Sequence, residues 1–597
     1  MNRHSIWSDW AQPDAELDGD SNSMSLRAFS VVASLTTLLG CASACDGSGD
    51  ASATDTDVGG AGGGAAATGG TGAGTGGSPV APAFSCPEAA PVETACPEIF
   101  AGPGTQVGPL GLIPQPVSTQ LGYGSLQLDA ASRIVVDPAF EAMATALAEP
   151  LRRSTGLPLP LDHECGGGHD IVLRQVNEAS LGDEEYRLEV GCGRVEIQAR
   201  TEAGLHWGAE TLRQLLPAEA QSPQQAAGVD WAVPHVRLTD RPTYAWRGFM
   251  LDVARNYFDK TEILRLIELA SFHKLNRLHL HLTDDQGWRI QIDSWPKLTS
   301  VGATSEVSSG VGGFYSKADF AEIVAFARAR SIVVVPEIDL PGHTNAALAA
   351  YPAELSESGA APRAWPYRGT EVGFSSLWLG GPDTLDFVED VVAELAEITP
   401  GPYLHVGGDE ALASDPDEYA TFLRDVEAIV RDHGKILVGW AESARAGLDP
   451  SSLAQHWHDD HGDAAQAAVA AGQLLIMSPA QRAYLDMKYD EDTPVGQDWA
   501  GLVSVQDAYG WNPERVGVPA NRVLGIETAL WTETVASRAD IDLLAFPRLA
   551  GHAEVGWSPA AGRSWSEYRE RLALHGRRLR AWPVGFYEAP EVDWPAP

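Results

Sequence analysis

The chain has 597 residues, 44% of them hydrophobic and 20% charged, a globular balance with ample material for a large core. Its 81 acidic residues outnumber 41 basic ones, giving a formal net charge of −40 that repels nucleic-acid phosphates and anionic lipid and suits a neutral substrate better. Several domains fit this length, although a barrel alone can take about 250 residues.

In chain order, residues 29–40 (FSVVASLTTLLG) come first, an apolar run of 12 that falls short of the roughly 20 residues a membrane helix needs. Arg27 precedes the run and small residues follow it, the pattern of an export signal. Leu38-Leu39-Gly40-Cys41 resembles a bacterial lipoprotein box with Cys41 as the lipidated residue. The alternative is cleavage near Ala42-Ser43-Ala44 and release as a soluble secreted protein. The acidic stretch before Met24 fits no signal, which makes Met24 a second candidate start. Residues 1–45 are therefore read as a leader and 46–104 as a linker, whose run GGAGGGAAATGGTGAGTGG cannot bury a core. Behind a lipid anchor such a tether holds a catalytic body away from a membrane. The expected location is the outer surface or periplasm as a lipoprotein, or the medium. All six cysteines lie at or before Cys192, and in an exported protein Cys86–Cys96 and Cys165–Cys192 are the expected local bridges.

Residues 105–240 read as a small α+β domain. SRIVVD and DIVLRQ have strand character, FEAMATALAEPLRRST has helical spacing ending near Gly156, YRLEVGCGRVEIQAR reads as a hairpin, and GLHWGAETLRQLL as a helix. From 241 to 597 the rhythm alternates. Strands are expected at AWRGFMLDV, NRLHLHLT, SIVVVPEID, YLHVGGDE, ILVGWAE, LAQHW, LLIMSP and VLGIETALW. Helices such as TEILRLIELASFH, KADFAEIVAFARAR and DEYATFLRDVEAIVRDHG separate several of them. This predicts an α/β fold, a (β/α)₈ TIM barrel preceded by the α+β domain. An open doubly wound sheet is the rival, but no Gly-rich phosphate loop follows the first strand.

Nearly every predicted strand ends in acidic or aromatic groups: Asp252 and Arg255, Asp284 and Asp285, Glu337 and Asp339, Asp409 and Glu410, Trp440, Trp457, and Trp531 with Glu533. One or two such ends are what any loop provides; so many, mixing carboxylates with tryptophans, point to a site at the carboxyl-terminal face of a barrel. That mixture suits carbohydrate, whose apolar faces pack on indoles such as Trp440, Trp457, Trp499 and Trp531 while hydroxyls bond to Asp, Glu and Arg. Asp409-Glu410 follows Gly407-Gly408, glycines expected to let a ligand approach the backbone. A neighbouring carboxylate should help keep Glu410 protonated as a general acid. Adjacent residues are badly placed to attack opposite faces of one sugar, so Asp409 needs another task. A substrate that carries its own nucleophile, a 2-acetamido oxygen, provides one: Asp409 orients and charge-stabilises that amide.

The segments WRGFMLDVARNYF, HLHLTDDQGWRIQIDSWPKL, VVPEIDLPGHTNAAL, HVGGDEA, YLDMKY, ALWTE and FPRLAGHAEVGWSP resemble the family 20 glycoside hydrolases, the β-N-acetylhexosaminidases, in their bacterial two-domain form. The resemblance spans roughly 105–597. It implies an exo-acting, retaining enzyme that removes terminal β-linked GlcNAc or GalNAc from oligosaccharides or glycoconjugates by substrate-assisted catalysis, with no cofactor and no metal. It implies Glu410 as general acid/base, Asp409 as the acetamido-orienting carboxylate and Tyr484 as donor to the acetamido carbonyl. Trp440, Trp457 and Trp531 would wall the pocket, Arg255, Asp486 and Glu533 would hold hydroxyls, and Trp499 would stack on the aglycone side. Asp284, Asp339 and His343 would support the acid. Asn256 departs from the family pattern, where many relatives carry histidine.

Two rivals remain. His279-Leu280-His281 puts two imidazoles on one side of a strand, a spacing of metal-dependent barrel hydrolases, with His343 and His405 as further ligands. The tryptophans have no use in that reading, and the histidines are expected to hydrogen-bond within the barrel. A non-catalytic surface glycan-binding protein would share the tryptophans and Arg255, but would not need Asp409, Glu410 and Tyr484 together. No sequence signal specifies an oligomeric state or separates GlcNAc from GalNAc.

Overall fold

The computed structural model describes residues 84–86, 99–100 and 110–596, apart from 167–168, 459–461 and 516. The leader, Cys41, Cys96 and nearly all of the tether lie outside them.

The amino-terminal part of the body is a seven-stranded sheet of order β1-β7-β5-β6-β4-β2-β3. Its strands are β1 (Ser118–Gln127), β2 (Ile134–Val136), β3 (Leu161–Asp162), β4 (Asp170–Gln175), β5 (Tyr186–Val190), β6 (Arg194–Ala199) and β7 (Ala232–Asp240). Strand β5 alternates buried and half-buried residues, as a strand covered on one face should. Helices α1 (Glu141–Thr155) and α2 (Glu202–Leu215) pack against the sheet and each other. Thr201 caps the first turn of α2, and Gly156 ends α1 in the left-handed region at φ 72°. The hairpin forms as expected, with Val190 opposite Val195.

The expected disulfides are corrected. Cys86 bonds to Cys165, 79 residues on, with a Cα–Cα distance of 4.8 Å. That occupies one cysteine from each expected local pair, and Cys192 is itself disulfide-bonded. The bond is set by Ser85 pairing with Glu164 as an isolated bridge, which brings the segment before the domain alongside the sheet edge.

Eight strands then close a barrel: β8 (Trp246–Asp252), β9 (Arg277–His281), β10 (Val333–Glu337), β11 (Tyr403–His405), β12 (Ile436–Trp440), β13 (Leu453–His456), β14 (Leu474–Met477) and β15 (Val523–Leu530). All neighbouring pairs are parallel, and β15 closes on β8 with Gly525 opposite Trp246. A Cβ at Gly525 would lie 1.9 Å from the Trp246 carbonyl oxygen, so the seam needs glycine. The eight strands read from the sequence are the eight observed.

Around them run α3 (Lys260–Phe272), α4 (Lys317–Arg328), α5 (Thr384–Ile398), α6 (Pro416–Asp432), α7 (Gly462–Ala471), α8 (Arg548–Trp557) and α9 (Trp565–Ala581). A capping box between Ser316 and Asp319 starts α4. Two units lack a full helix. The link from β12 to β13 is a 3-10 turn, Ala441–Ala446, and that from β14 to β15 holds only short helices.

Side chains two apart on each strand point the same way, so the interior fills in layers. Trp246, Val335, Val438, Leu453 and Ile476 form a buried apolar plug near the strand beginnings. One step along, His279, Glu337, His405, Gln455 and Glu527 form a buried polar layer. One further step brings His281, Asp339 and Trp457 to the carboxyl-terminal mouth, where Asp252 and Trp440 end their own strands. At the junction with the sheet, Asp240 accepts from Lys274 (2.8 Å), Tyr186 (2.7 Å) and the Trp557 indole (2.9 Å).

Candidate active site

The polar layer is the floor of the site. Glu337 accepts from the Trp440 indole at 3.0 Å through Oε1, while His281 Nδ1 lies 2.6 Å and His279 Nε2 3.0 Å from Oε2. His279 Nδ1 is 2.8 Å from Glu527, whose other oxygen accepts from the Trp246 indole at 2.9 Å. Both imidazoles lie between two acceptors and hold their charge. Burial alone would lower them, but Glu527 and Glu337 bring His279 to about 9, and Glu337 holds His281 well above the usual range. The histidines of the HLH segment thus bond within the barrel.

His281 Nε2 reaches Asp284 at 3.0 Å, and Asp284 also pairs with Arg255 at 2.7 Å and His343 at 3.3 Å. Burial would raise the Asp284 carboxyl, but Arg255 and then His343 hold it well below the carboxylate range. Arg255 is further fixed by Asp252, whose Oδ1 accepts its backbone N–H at 3.0 Å, and its guanidinium lies 4.9 Å from the Trp531 ring centroid. Asn256, the family departure, donates to Thr532 O at 2.7 Å and accepts from Ser308 N at 3.0 Å.

His343 joins this network to the acid pair. Its Nε2 is 3.4 Å from Glu410 and 3.7 Å from Asp409. Against burial, Asp284 and Asp339 keep His343 protonated well above its ordinary range. Burial raises Asp409 to about 7, with His343 opposing and Glu410 adding to the rise. Asp409, the member of the pair packed inward, is thus a raised carboxyl. Burial, with Asp409 beside it, also lifts Asp339 well above the usual range.

The backbone that presents the pair is unusual. Gly407, Gly408 and Glu410 have φ of 67°, 94° and 45°. A Cβ on Gly407 would sit 1.7 Å from Asp339 Oδ1. The close approach that requires glycine there is made by Asp339 rather than by a ligand.

Opposite the acids, Trp440, Tyr484, Met250 and Ala529 form an apolar wall with half-buried Trp457 and Trp531 packed on it. Trp440 and Trp531 have ring centroids 5.7 Å apart. Trp499, 39% exposed, stands at the rim with its ring 6.1 Å from both Trp457 and Tyr484. Burial raises Tyr484 well above the phenol range, so its hydroxyl keeps its proton. Asp486 and Glu533 lie together; burial raises both, and each carries a buried oxygen without a hydrogen-bond partner.

Five of the buried atoms without a hydrogen-bond partner lie at this mouth: Arg255 Nε, His343 Nε2, Asp409 Oδ1, Asp486 Oδ2 and Glu533 Oε2. Native structures leave few buried polar atoms unpaired, and a cluster beside aromatic walls is what a polar, ring-shaped ligand would satisfy. The structure brings all thirteen residues singled out in the sequence to this one face of the barrel.

Sequence reasoning missed Glu442, which accepts the Trp457 indole N–H, and Tyr419, which donates to Gly408 O at 2.5 Å. The period-2 step from Trp440 was the available signal for Glu442; Tyr419 lies on α6 and gave none. Among the described residues, four groups of His and carboxylate donors come within 4.8 Å, including His279–Glu337–His405 and Asp339–His343–Asp409. In the first group Glu337 lies 3.0 Å from both histidines. His279 and His281 are held through Nδ1 by Glu527 at 2.8 Å and Glu337 at 2.6 Å, and His405 Nδ1 accepts from Gly407 N at 3.1 Å.

Residues 244–560 match the model for "Glycosyl hydrolase family 20, catalytic domain" and residues 110–241 that for its domain 2. A β-N-acetylhexosaminidase of Cellulomonas fimi is 43% identical over 82% of this chain and 98% of its own length. The solved β-N-acetylhexosaminidase of Streptomyces coelicolor A3(2) is 44% identical with a TM-score of 0.78, covering 82% of this chain and 100% of that one. A variant Streptomyces plicatus β-hexosaminidase, solved in complex with product (GlcNAc), also reaches 0.78 at 44% identity, covering 82% of this chain and 99% of its own. With a polar cluster, aromatic wall and acid pair at the barrel mouth, and these likenesses across both halves of the body, the chain belongs to glycosyl hydrolase family 20 and is a glycoside hydrolase.

Proposed function

We propose that this β-N-acetylhexosaminidase removes single terminal GlcNAc or GalNAc residues with retention, using the substrate's 2-acetamido group as nucleophile. Glu410 protonates the glycosidic oxygen as the C1–O bond breaks, and the acetamido carbonyl oxygen bonds to C1 to give an oxazolinium. Asp409 accepts the amide N–H and Tyr484 donates to the amide oxygen. In free enzyme burial outweighs His343, 3.7 Å away, and holds the Asp409 carboxyl up, so the positive charge that develops on the substrate favours its ionised form in the transition state. Water then attacks C1, returning its proton to Glu410 and restoring the acetamide with net retention. Arg255, Asp486 and Glu533 hold the sugar hydroxyls, and Trp440, Trp457 and Trp531 enclose the ring and the acetamido methyl.

The observation that carries this reading is the set of unpartnered polar atoms beside the aromatic wall, with Asp409 and Glu410 joined through His343. An aryl β-N-acetylglucosaminide paired with the matching β-glucoside tests it. Only the first should turn over; equal rates on both would refute participation of the acetamide. We further propose an exported enzyme, since its disulfide-bonded cysteines suit an oxidising compartment.

A further inference from the structure

Glu442 lies two residues beyond Trp440, inside the 3-10 turn Ala441–Ala446. The inward alternation of β12 carries past the strand end, so the carboxylate turns over the barrel mouth and is only 8% exposed. Both its oxygens receive the Trp457 indole N–H, at 3.1 and 3.0 Å. The Trp457 backbone is held separately, its carbonyl accepting from Ala480 N at 2.7 Å. The strand therefore fixes where Trp457 starts, and the carboxylate selects the orientation of its ring among the rotamers open to it.

The other two walls have ionic holders of their own. Glu337 accepts the Trp440 indole N–H, and the Arg255 guanidinium lies over Trp531. Those holders are built into the floor network and cannot change without disturbing it. Glu442 stands on a turn outside the barrel strands, and its fixed charge lies near Asp409 and Tyr484.

We infer that Glu442 is a positioning residue that sets the depth of the acyl pocket by holding the Trp457 indole, and thereby limits which 2-acylamido sugars the enzyme turns over. The inference rests on the acetamide reading above.

The test compares wild type, Glu442→Leu and Glu442→Gln on aryl β-glucosaminides bearing N-acetyl, N-propionyl or N-butyryl groups, with melting temperature followed for each protein. Wild type should lose about 10-fold or more in kcat/KM for an added methylene, as a fitted apolar pocket does. In Glu442→Leu the N-acetyl substrate should lose roughly 10-fold while the penalty per methylene falls to about 3-fold or less, because a freed indole gives way. Glu442→Gln keeps one acceptor oxygen and should fall between. A lower melting temperature with unchanged acyl selectivity would make Glu442 merely structural and overturn the inference. If Glu442→Leu does not fold, an unrelaxed profile in Glu442→Gln overturns it equally. A wild type indifferent to the acyl group would instead overturn the acetamide reading, and this inference with it.

Discussion

Replacing Asp409 with asparagine should change how stability depends on pH as well as abolish efficient turnover. The Asp409 carboxyl is raised from 3.8 to about 7, chiefly by burial. Ionising it in the fold therefore costs about 4 kcal/mol more than in the unfolded chain, at 1.36 kcal/mol per unit. Because the folded pKa exceeds the unfolded one, the folded state binds more protons between these values, and stability falls as pH rises from about 4 to 7. Asparagine has nearly the same shape and no charge, so the variant escapes that fall. With an unfolding entropy of about 2.1 cal/mol/K per residue over roughly 490 folded residues, 4 kcal/mol amounts to about 4 °C. Melting curves of both proteins at pH 4, 6 and 8 should show the variant's advantage growing by about that much from pH 4 to pH 8. A difference that stays constant with pH, or reverses sign, would refute the burial argument for Asp409.

Four further outcomes follow from the geometry. Glu410→Gln should cut kcat by about 10²–10⁴-fold on sugar leaving groups, and far less on a dinitrophenyl leaving group that departs without a proton; equal losses on both would remove the acid role. Arg255→Lys loses the short contact to Asp284 and the planar contact with Trp531 and should raise KM by roughly 10–100-fold, measurable in steady-state kinetics. Dialysis against a chelator should leave activity unchanged, since His279 and His281 are already held by Glu527, Glu337 and Asp284; lost activity restored by a divalent ion would revive the metal reading. Cys41→Ala in the full chain should move activity from the membrane fraction to the soluble fraction, and an unchanged distribution would favour simple secretion.

Fold and site were legible to different depths. The barrel could be read because each strand is a short apolar run with an abrupt polar end, and those ends are the site. The floor could not. His279, Glu337 and Glu527 meet only when β9, β10 and β15 close around the axis, a cross-strand relation that no spacing along the chain encodes. The disulfides failed for the same reason, since Cys86 finds Cys165 through sheet-edge pairing and local spacing offered nearer partners. The raised Asp409 carboxyl was not legible because adjacency in sequence is symmetric while burial is not: a turn through Gly407 and Gly408 directs Asp409 inward and leaves Glu410 half-open. Glu442 was hidden by its position beyond the strand, where period-2 reasoning normally stops.

The backbone of Glu410 decides how this protein meets inactivation. At φ 45° a side chain with a Cβ costs roughly 1–2 kcal/mol that glycine avoids and asparagine largely avoids. Losing the acid to either residue therefore relieves the fold. Such chains should accumulate at least as well as the active one, so abundance says nothing about turnover and quality control has no means of removing them. They would also keep the tryptophans, Arg255 and the unpartnered oxygens of Asp486 and Glu533. On the function proposed above, a single substitution would thus separate two properties of the site, turning a hydrolase into a stable receptor for its own substrate.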